Sequence, residues 1–292
     1  PTRRSPRYSK PLKLKETTVV RAIARQNDRW SDEKGGTYFI NEPPTNFAIV
    51  SIAIEPAKLF DPVEGLFMEG RQAVDSIWSK PGANFWSREE TPIFCEIFEP
   101  DGEVVYNSPS GLRLFGGMSR LFPQKSLTLV ARDDYGKKRM KHRIFGKEGE
   151  KKFKFLVLRN SGSDWGKTHF RDAFMTSLLE DWDMEIQDYR PAQVYINGMY
   201  WGIYNIREKV NRYFIADHQD VDKDSIDLIE HQRTVKRGSY IHYYRMLQFL
   251  ENNSLAAAEN MRYLHTQMEV DNFMNYQIAQ IYFDNQDAGG NI

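Results

Sequence analysis

The strongest constraint on this chain is a change of hydrophobic period along its length. Up to about residue 158, apolar residues come in short β-type runs separated by turn residues. From about Ser239 they recur every three to four positions, the repeat of an amphipathic helix. A chain that spends its first half on strands and its last part on helices reads as α+β, with a β-rich front lobe and a helical back lobe.

The strand runs are Thr17–Val20 with Ala22–Ala24, Thr37–Ile40, Phe47–Ile54, Phe94–Phe98, Val104–Tyr106, Leu112–Leu114, Ser126–Val130 and Phe153–Leu158. Residues 1–42 form a small β unit, and Pro43-Pro44 marks a boundary before a main domain over 43–292. Leu59–Trp86, with Gly65, Gly70, Pro81 and Gly82, reads as a long surface excursion. Phe170, Phe174, Leu178 and Trp182 share one face, which predicts a helix over Phe170–Trp182. Asn197-Gly198 between two β-rich arms predicts a hairpin over Ala192–Ile206, because both residues tolerate the positive φ of a tight turn. Ser254 and Asp271 are candidate N-caps for helices over Leu255–Met268 and Asn272–Phe283.

Composition narrows the function classes. Forty basic and 40 acidic residues cancel, so no global charge draws the chain to nucleic acid or membrane. The charge is uneven: the first fifteen residues hold six basic groups and no acid, and a second basic stretch runs from Lys137 to Lys154. A polyanion can dock on such a stretch, and a solvated face is the competing reading. Cys95 is the only cysteine, which excludes an intrachain disulfide and a thiolate metal cluster. No apolar run approaches the roughly 18 residues of a membrane helix, and no signal peptide is visible at the polar, basic start.

Three segments can carry chemistry. Asp284-Asn-Gln-Asp-Ala-Gly-Gly-Asn291 places two carboxylates and three carboxamides beside a Gly pair at the end of an apolar helix. Such oxygens suit Mg²⁺, and an aspartate can take the proton of an attacking hydroxyl; a helix cap is the bland alternative. Ser161-Gly-Ser-Asp-Trp-Gly-Lys-Thr168 follows a strand and precedes a helix, as a phosphate-cradling loop does, but it is one residue short and has Ser where the first glycine belongs. Gly111–Lys125 joins two strands through Gly116-Gly117 and offers Arg113, Arg120 and Lys125 as cations for phosphate, or merely as solvated charges on a hairpin.

Several segments together resemble the CotH (spore-coat protein H) kinase family: Phe122-Pro-Gln-Lys-Ser126, Leu158-Arg-Asn-Ser-Gly-Ser-Asp164, Phe170-Arg-Asp172, the run Tyr189–Lys209, Ser225–Glu230, and Asp271-Asn-Phe273 leading into Ile278–Asp287. Their order and spacing are kept over about 110–292. Residues 1–40 resemble the tail of a small β-sandwich module like the C-terminal domain of chitobiases. The resemblance implies an atypical protein-kinase-like, two-lobed fold, an exported setting typical of such modular bacterial proteins, and ATP-dependent phosphorylation of protein side chains with Mg²⁺ or Mn²⁺. By the same resemblance Lys125 would hold nucleotide phosphates, Asp287 would orient or deprotonate the acceptor hydroxyl, and Asn291 with Asp284 would ligate metal. Arg113, Arg120 and, near a hinge at Ile203–Glu208, Glu208 complete the expected nucleotide contacts. A protein substrate is implied, with a carbohydrate or surface partner for the N-terminal module and no nucleic acid.

Two departures shape the expectation. Ala288-Gly289 stand where many members have Trp-Pro, and the chain ends at Ile292, before the family's downstream Asp-bearing motif. Residues 1–292 alone are therefore expected to hold metal weakly and to be weakly active or inactive. The rival reading is a surface-binding protein on a catalytically silent kinase-like scaffold.

Overall fold

A computed structural model describes residues 1–2, 4–76, 79–146, 151–230 and 234–286. The chain divides into two compact units. One comprises Pro1–Arg171 with Asp188–Lys209; the other comprises Asp172–Gln187 with Val210–Ile292. Both β and α elements are present, as the change of period predicts.

The first unit opens with β1 (Thr18–Ala22), a two-residue ribbon of β2 (Arg25–Gln26) and β3 (Arg29–Trp30), and β4 (Lys34–Tyr38), which returns antiparallel to β1. Next come β5 (Ala48–Ala53), the short helix α1 (Pro56–Phe60), β6 (Thr91–Phe98), β7 (Val104–Leu114) and β8 (Leu127–Val130). A ribbon of β9 (Met140–Lys141) and β10 (Lys152–Phe153) precedes β11 (Phe155–Arg159), and β12 (Tyr189–Ile196) and β13 (Met199–Glu208) complete the unit. Seven of these strands close into a barrel in the order β11-β13-β12-β5-β6-β7-β8. A closed ring with an odd number of strands cannot alternate direction all the way round, so one neighbouring pair must be parallel. That pair is β5 and β12, joined by a long connection as parallel strands require.

Period-two patterning fills the barrel. Val50 and Ile52, Ile93, Cys95 and Ile97, Leu127 and Leu129, Leu156 and Leu158, and Val194 and Ile196 all belong to one buried cluster. Each such side chain contributes on the order of 1.5–3 kcal/mol on leaving water. The three prolines inside barrel strands obey one rule. Pro92 pairs with Gly111 but lies beyond the last β5 partner, Phe94. Pro109 pairs with Phe94 but lies beyond the last β8 partner, Gly111. Pro191 pairs with Asn205 but precedes the first β5 partner, Ala192. Each sits where its strand has a neighbour on one side only, so its missing N–H costs no ladder bond.

Several expectations need correction. Val104–Tyr106 and Leu112–Leu114 are two ends of one strand, β7, because Pro109 is tolerated mid-strand for the reason just given. The stretch 59–86 is not wholly a surface excursion: Leu59, Leu66, Ala83 and Phe85 join the same buried cluster as the barrel side chains. The hairpin turn is as expected, with Asn197 at φ 53° and Gly198 at φ 84°. A Cβ on Gly198 would stand 2.6 Å from the Thr17 carbonyl oxygen, so the turn also packs on the N-terminal segment. Beneath β4, Thr37 bonds Ser51 and Glu96, and Asn107 donates to Glu96 and to the Gly35 carbonyl. These buried contacts hold residues of the 1–42 segment on the outer face of the barrel.

The second unit contains most of α2 (Arg171–Ser177), then α3 (Arg212–Gln219), the ribbon of β14 (Leu228–Glu230) and β15 (Thr234–Arg237), α4 (Ile241–Asn252), α5 (Ala258–His265) and α6 (Val270–Tyr282). α2 is shorter than the predicted Phe170–Trp182, as residues 178–182 form turns. α5 starts after Ala257 rather than Ser254, and α6 after Glu269 rather than Asp271. The Asn211 side chain caps α3, accepting from the N–H groups of Tyr213 and Phe214, a start signal that the apolar period alone did not show.

Candidate functional site

The barrel register gathers two family-like segments at one rim. Leu114 pairs with Leu127, Leu127 with Leu158 and Leu158 with Ile206. The loops leaving that row are 115–126, between β7 and β8, and 160–170, between β11 and α2.

Asn160 ties the loops together. Its Nδ2 donates to the carbonyls of Gln124 (2.6 Å) and Ser119 (3.2 Å), and its Oδ1 accepts from the Ser126 hydroxyl (2.8 Å). The Ser126 oxygen in turn accepts from the Asn160 N–H (2.9 Å). A Cβ on Gly162 would lie 2.5 Å from Ser119 Cβ, so glycine is what lets the loops touch. Phe122 stacks on Trp165 with centroids 5.2 Å apart, and Trp165 meets the His169 ring at 5.4 Å. Ser161 and His169 both adopt positive φ, at 54° and 63°. They are held there from one side by Asn205 of β13, whose Nδ2 donates to Ser161 Oγ and to the His169 carbonyl. Non-glycine residues in this conformation are strained, and such strain persists where surrounding bonds over-determine it.

Lys125 reaches inward at the same rim. Its Nζ donates to the carbonyls of Arg120 (2.7 Å) and Phe122 (3.1 Å) and lies 4.5 Å from the centroid of Phe85. Burial lowers its pKa from 10.5 to about 8, opposed only by the charge of Glu69. Arg120 donates to the carbonyls of Gly116, Leu114, Phe85 and Ser87, so its guanidinium staples the glycine turn to the 84–87 segment. Desolvation, then Arg88, lowers its pKa.

The other predicted nucleotide contacts lie elsewhere. Arg113 is on the outer face of β7 in an ion pair with Glu90, which also binds Arg132. Glu208 is buried at the far end of β13, paired in register with Leu156, and accepts the Asp188 N–H at 3.1 Å. The structure thus brings Lys125 and Arg120 together and leaves Arg113 and Glu208 apart from them. Asp284 is exposed just after α6, at φ 50°. Asp287 and Asn291 lie outside the described residues. Among the described residues no group of three or more His, Cys, Asp or Glu is placed to hold a metal ion.

The loop 161–168 is no phosphate cradle. Gly162–Asp164 forms a 3-10 turn, and the Asp164 carboxylate accepts from the Thr168 hydroxyl and the Arg171 N–H. Burial opposes ionisation of Asp164, but those hydrogen bonds win and its pKa is lowered. A carboxylate already occupies the start of α2, where a phosphate would have to sit. Sequence reasoning gave Asn160, Ser161, Asp164, His169 and Asn205 no role. The signal was present in the quoted Leu158–Asp164 and Tyr189–Lys209 segments, but nothing in one sequence says that they meet.

No curated protein matches the chain. The family described as CotH kinase protein matches residues 112–292, more than half of the chain, and this span contains the barrel strands β8, β11, β12 and β13, both rim loops and all the helices of the second unit. The match begins at the end of β7, just before the glycine turn that Arg120 staples. This chain belongs to the CotH kinase family.

Proposed function

We propose that the chain transfers the γ-phosphoryl group of ATP to a hydroxyl on a protein, with the first unit as the β-rich lobe of a kinase-like fold and the second as the helical lobe. The observation that carries this reading is Lys125, in a family-matched loop beside a glycine turn. A lysine ammonium has three N–H groups, and the carbonyls of Arg120 and Phe122 take two, which leaves one for a phosphate oxygen. Gly116 and Gly117 put no side chain between that turn and a ligand, and the space where a Gly117 Cβ would stand is open to 4 Å. ATP would supply the transferred group and Mg²⁺ or Mn²⁺ would spread its charge. Asp287 would orient or deprotonate the acceptor, with Asp284 and Asn291 as metal ligands; Arg120 would shape the loop. Export, and a surface or carbohydrate partner for the N-terminal segment, belong to the same reading. No described helix is long and apolar enough to cross a membrane.

The test is transfer of labelled phosphate from ATP with added Mg²⁺ or Mn²⁺. Lys125→Met should weaken nucleotide binding, and Asp287→Asn should abolish transfer while nucleotide still binds. Equal transfer by Asp287→Asn and the unmodified chain would sink the assignment. A second reading, a silent scaffold that binds a partner, is favoured by one observation: the Lys125 ammonium faces protein carbonyls and a ring. On that reading ATP with metal leaves the melting temperature unchanged.

A further inference from the structure

Beside the rim, within the first unit, lies a cleft of about 570 Å³ between α1 and the start of β6. That is the size of a small-molecule site, but its walls are charged where such sites are mostly apolar. Glu55, Glu64 and Glu89 line it, and no described residue pairs with their carboxylates. Asp61, also in the wall, is spent locally: its Oδ1 accepts from the N–H groups of Val63 and Glu64, and those bonds, Glu64 first, lower its pKa. Lys58 and Arg71 are the basic residues of the wall, so acids outnumber bases. The second observation is Thr91, also in the wall. It is 2% exposed and its hydroxyl has no hydrogen-bond partner among the described residues. A buried hydroxyl left unpaired carries a desolvation cost that a ligand donor or acceptor would remove.

The carboxylates are not gathered as a metal site, and the volume is too small for a folded partner. We infer that the cleft binds a linear polyamine, an aliphatic chain whose spaced ammonium groups meet Glu55, Glu64 and Glu89 while one N–H reaches Thr91. The cleft is also wired to Lys125. Asn84 and Ser87 belong to its wall, Arg120 holds the carbonyls of Phe85 and Ser87, and the Phe85 ring lies against the Lys125 ammonium. Ligand that shifts 84–87 therefore shifts the loop of Lys125, and this regulatory half of the inference rests on the proposed function.

Titration calorimetry of the whole chain with spermidine, without nucleotide, tests the site. Binding is expected at low salt, weakening as salt is added. Glu64→Gln with Glu89→Gln, both exposed and without structural bonds, should weaken it roughly three- to tenfold. Glu103→Gln, at the β6–β7 turn, should leave it unchanged, and Thr91→Val should weaken it without lowering the melting temperature. No heat at millimolar spermidine, or equal affinity in the double variant, overturns the site. A second arm measures ATP affinity with and without spermidine, which linkage requires to change if the sites are coupled. Unchanged ATP affinity removes the coupling and leaves the cleft standing; absence of ATP binding counts against the kinase reading alone.

Discussion

Asn160 and Lys125 show how single side chains set the rim. The Asn160 carboxamide uses both ends at once, donating to two carbonyls of one loop and accepting from Ser126. Asn160→Asp keeps the shape but turns an acceptor toward the carbonyls of Ser119 and Gln124, so it should destabilise more than Asn160→Ala. Chemical denaturation of both variants checks this, with a loss of about 1–3 kcal/mol expected for Ala; a milder effect for Asp than for Ala would refute it. Lys125 makes a prediction in pH. Its folded pKa of about 8 lies below the ordinary 10.5, so the unfolded chain holds the proton more tightly. The burial penalty is fully present below about pH 8 and is relieved as pH rises from about 8 to 10.5. Across that window the unmodified chain should gain stability relative to Lys125→Met, and a constant difference from pH 7 to 10 would contradict the burial of a charged amine. On the proposed kinase reading, nucleotide affinity should fall over the same range as the ammonium loses its charge.

Elements here are fixed by local chemistry where turns are special and by packing where they are not. The β12–β13 hairpin was legible because Asn197-Gly198 admits one kind of tight turn. Gly198→Ala should cost about 1 kcal/mol or more, since φ is positive and the new Cβ would press on the Thr17 carbonyl. Limited proteolysis should then cut the 1–42 segment sooner; unchanged cleavage would show that the contact does not hold it. Helix lengths were less legible. The apolar stripe of α2 continues past Ser177, yet the chain leaves the helix there, and Phe174 and Leu178 remain exposed. At its start the helix depends on Asp164, seven residues before Arg171, and no local pattern signals a cap at that distance.

For the molecule as a whole, burial is unequal between the units. Nearly every fully buried apolar side chain belongs to the first unit, most of them on barrel strands, whereas the described residues of the second unit bury few, among them Ala173, Phe214, Met246, Leu264 and Ala279. Local stability follows buried contacts. Hydrogen exchange should therefore be slowest in β6, β7, β12 and β13 and faster throughout α4, α5 and α6. Equal protection in helices and barrel would defeat the expectation.

What the amino-acid order determined by itself is periodic and local: strands before helices, the hairpin turn, the lone cysteine, and the motif segments that place the chain in its family. These survive any arrangement because they depend on spacing and on backbone preferences of a few neighbouring residues. Closure of seven strands into a barrel, the parallel β5–β12 pair and the burial of Phe85 over Lys125 were decided only by the tertiary structure. The meeting of 115–126 with 160–170 belongs with them. Each depends on register between strands far apart in the chain, and alternation of apolar residues constrains which face a strand buries without naming its neighbour.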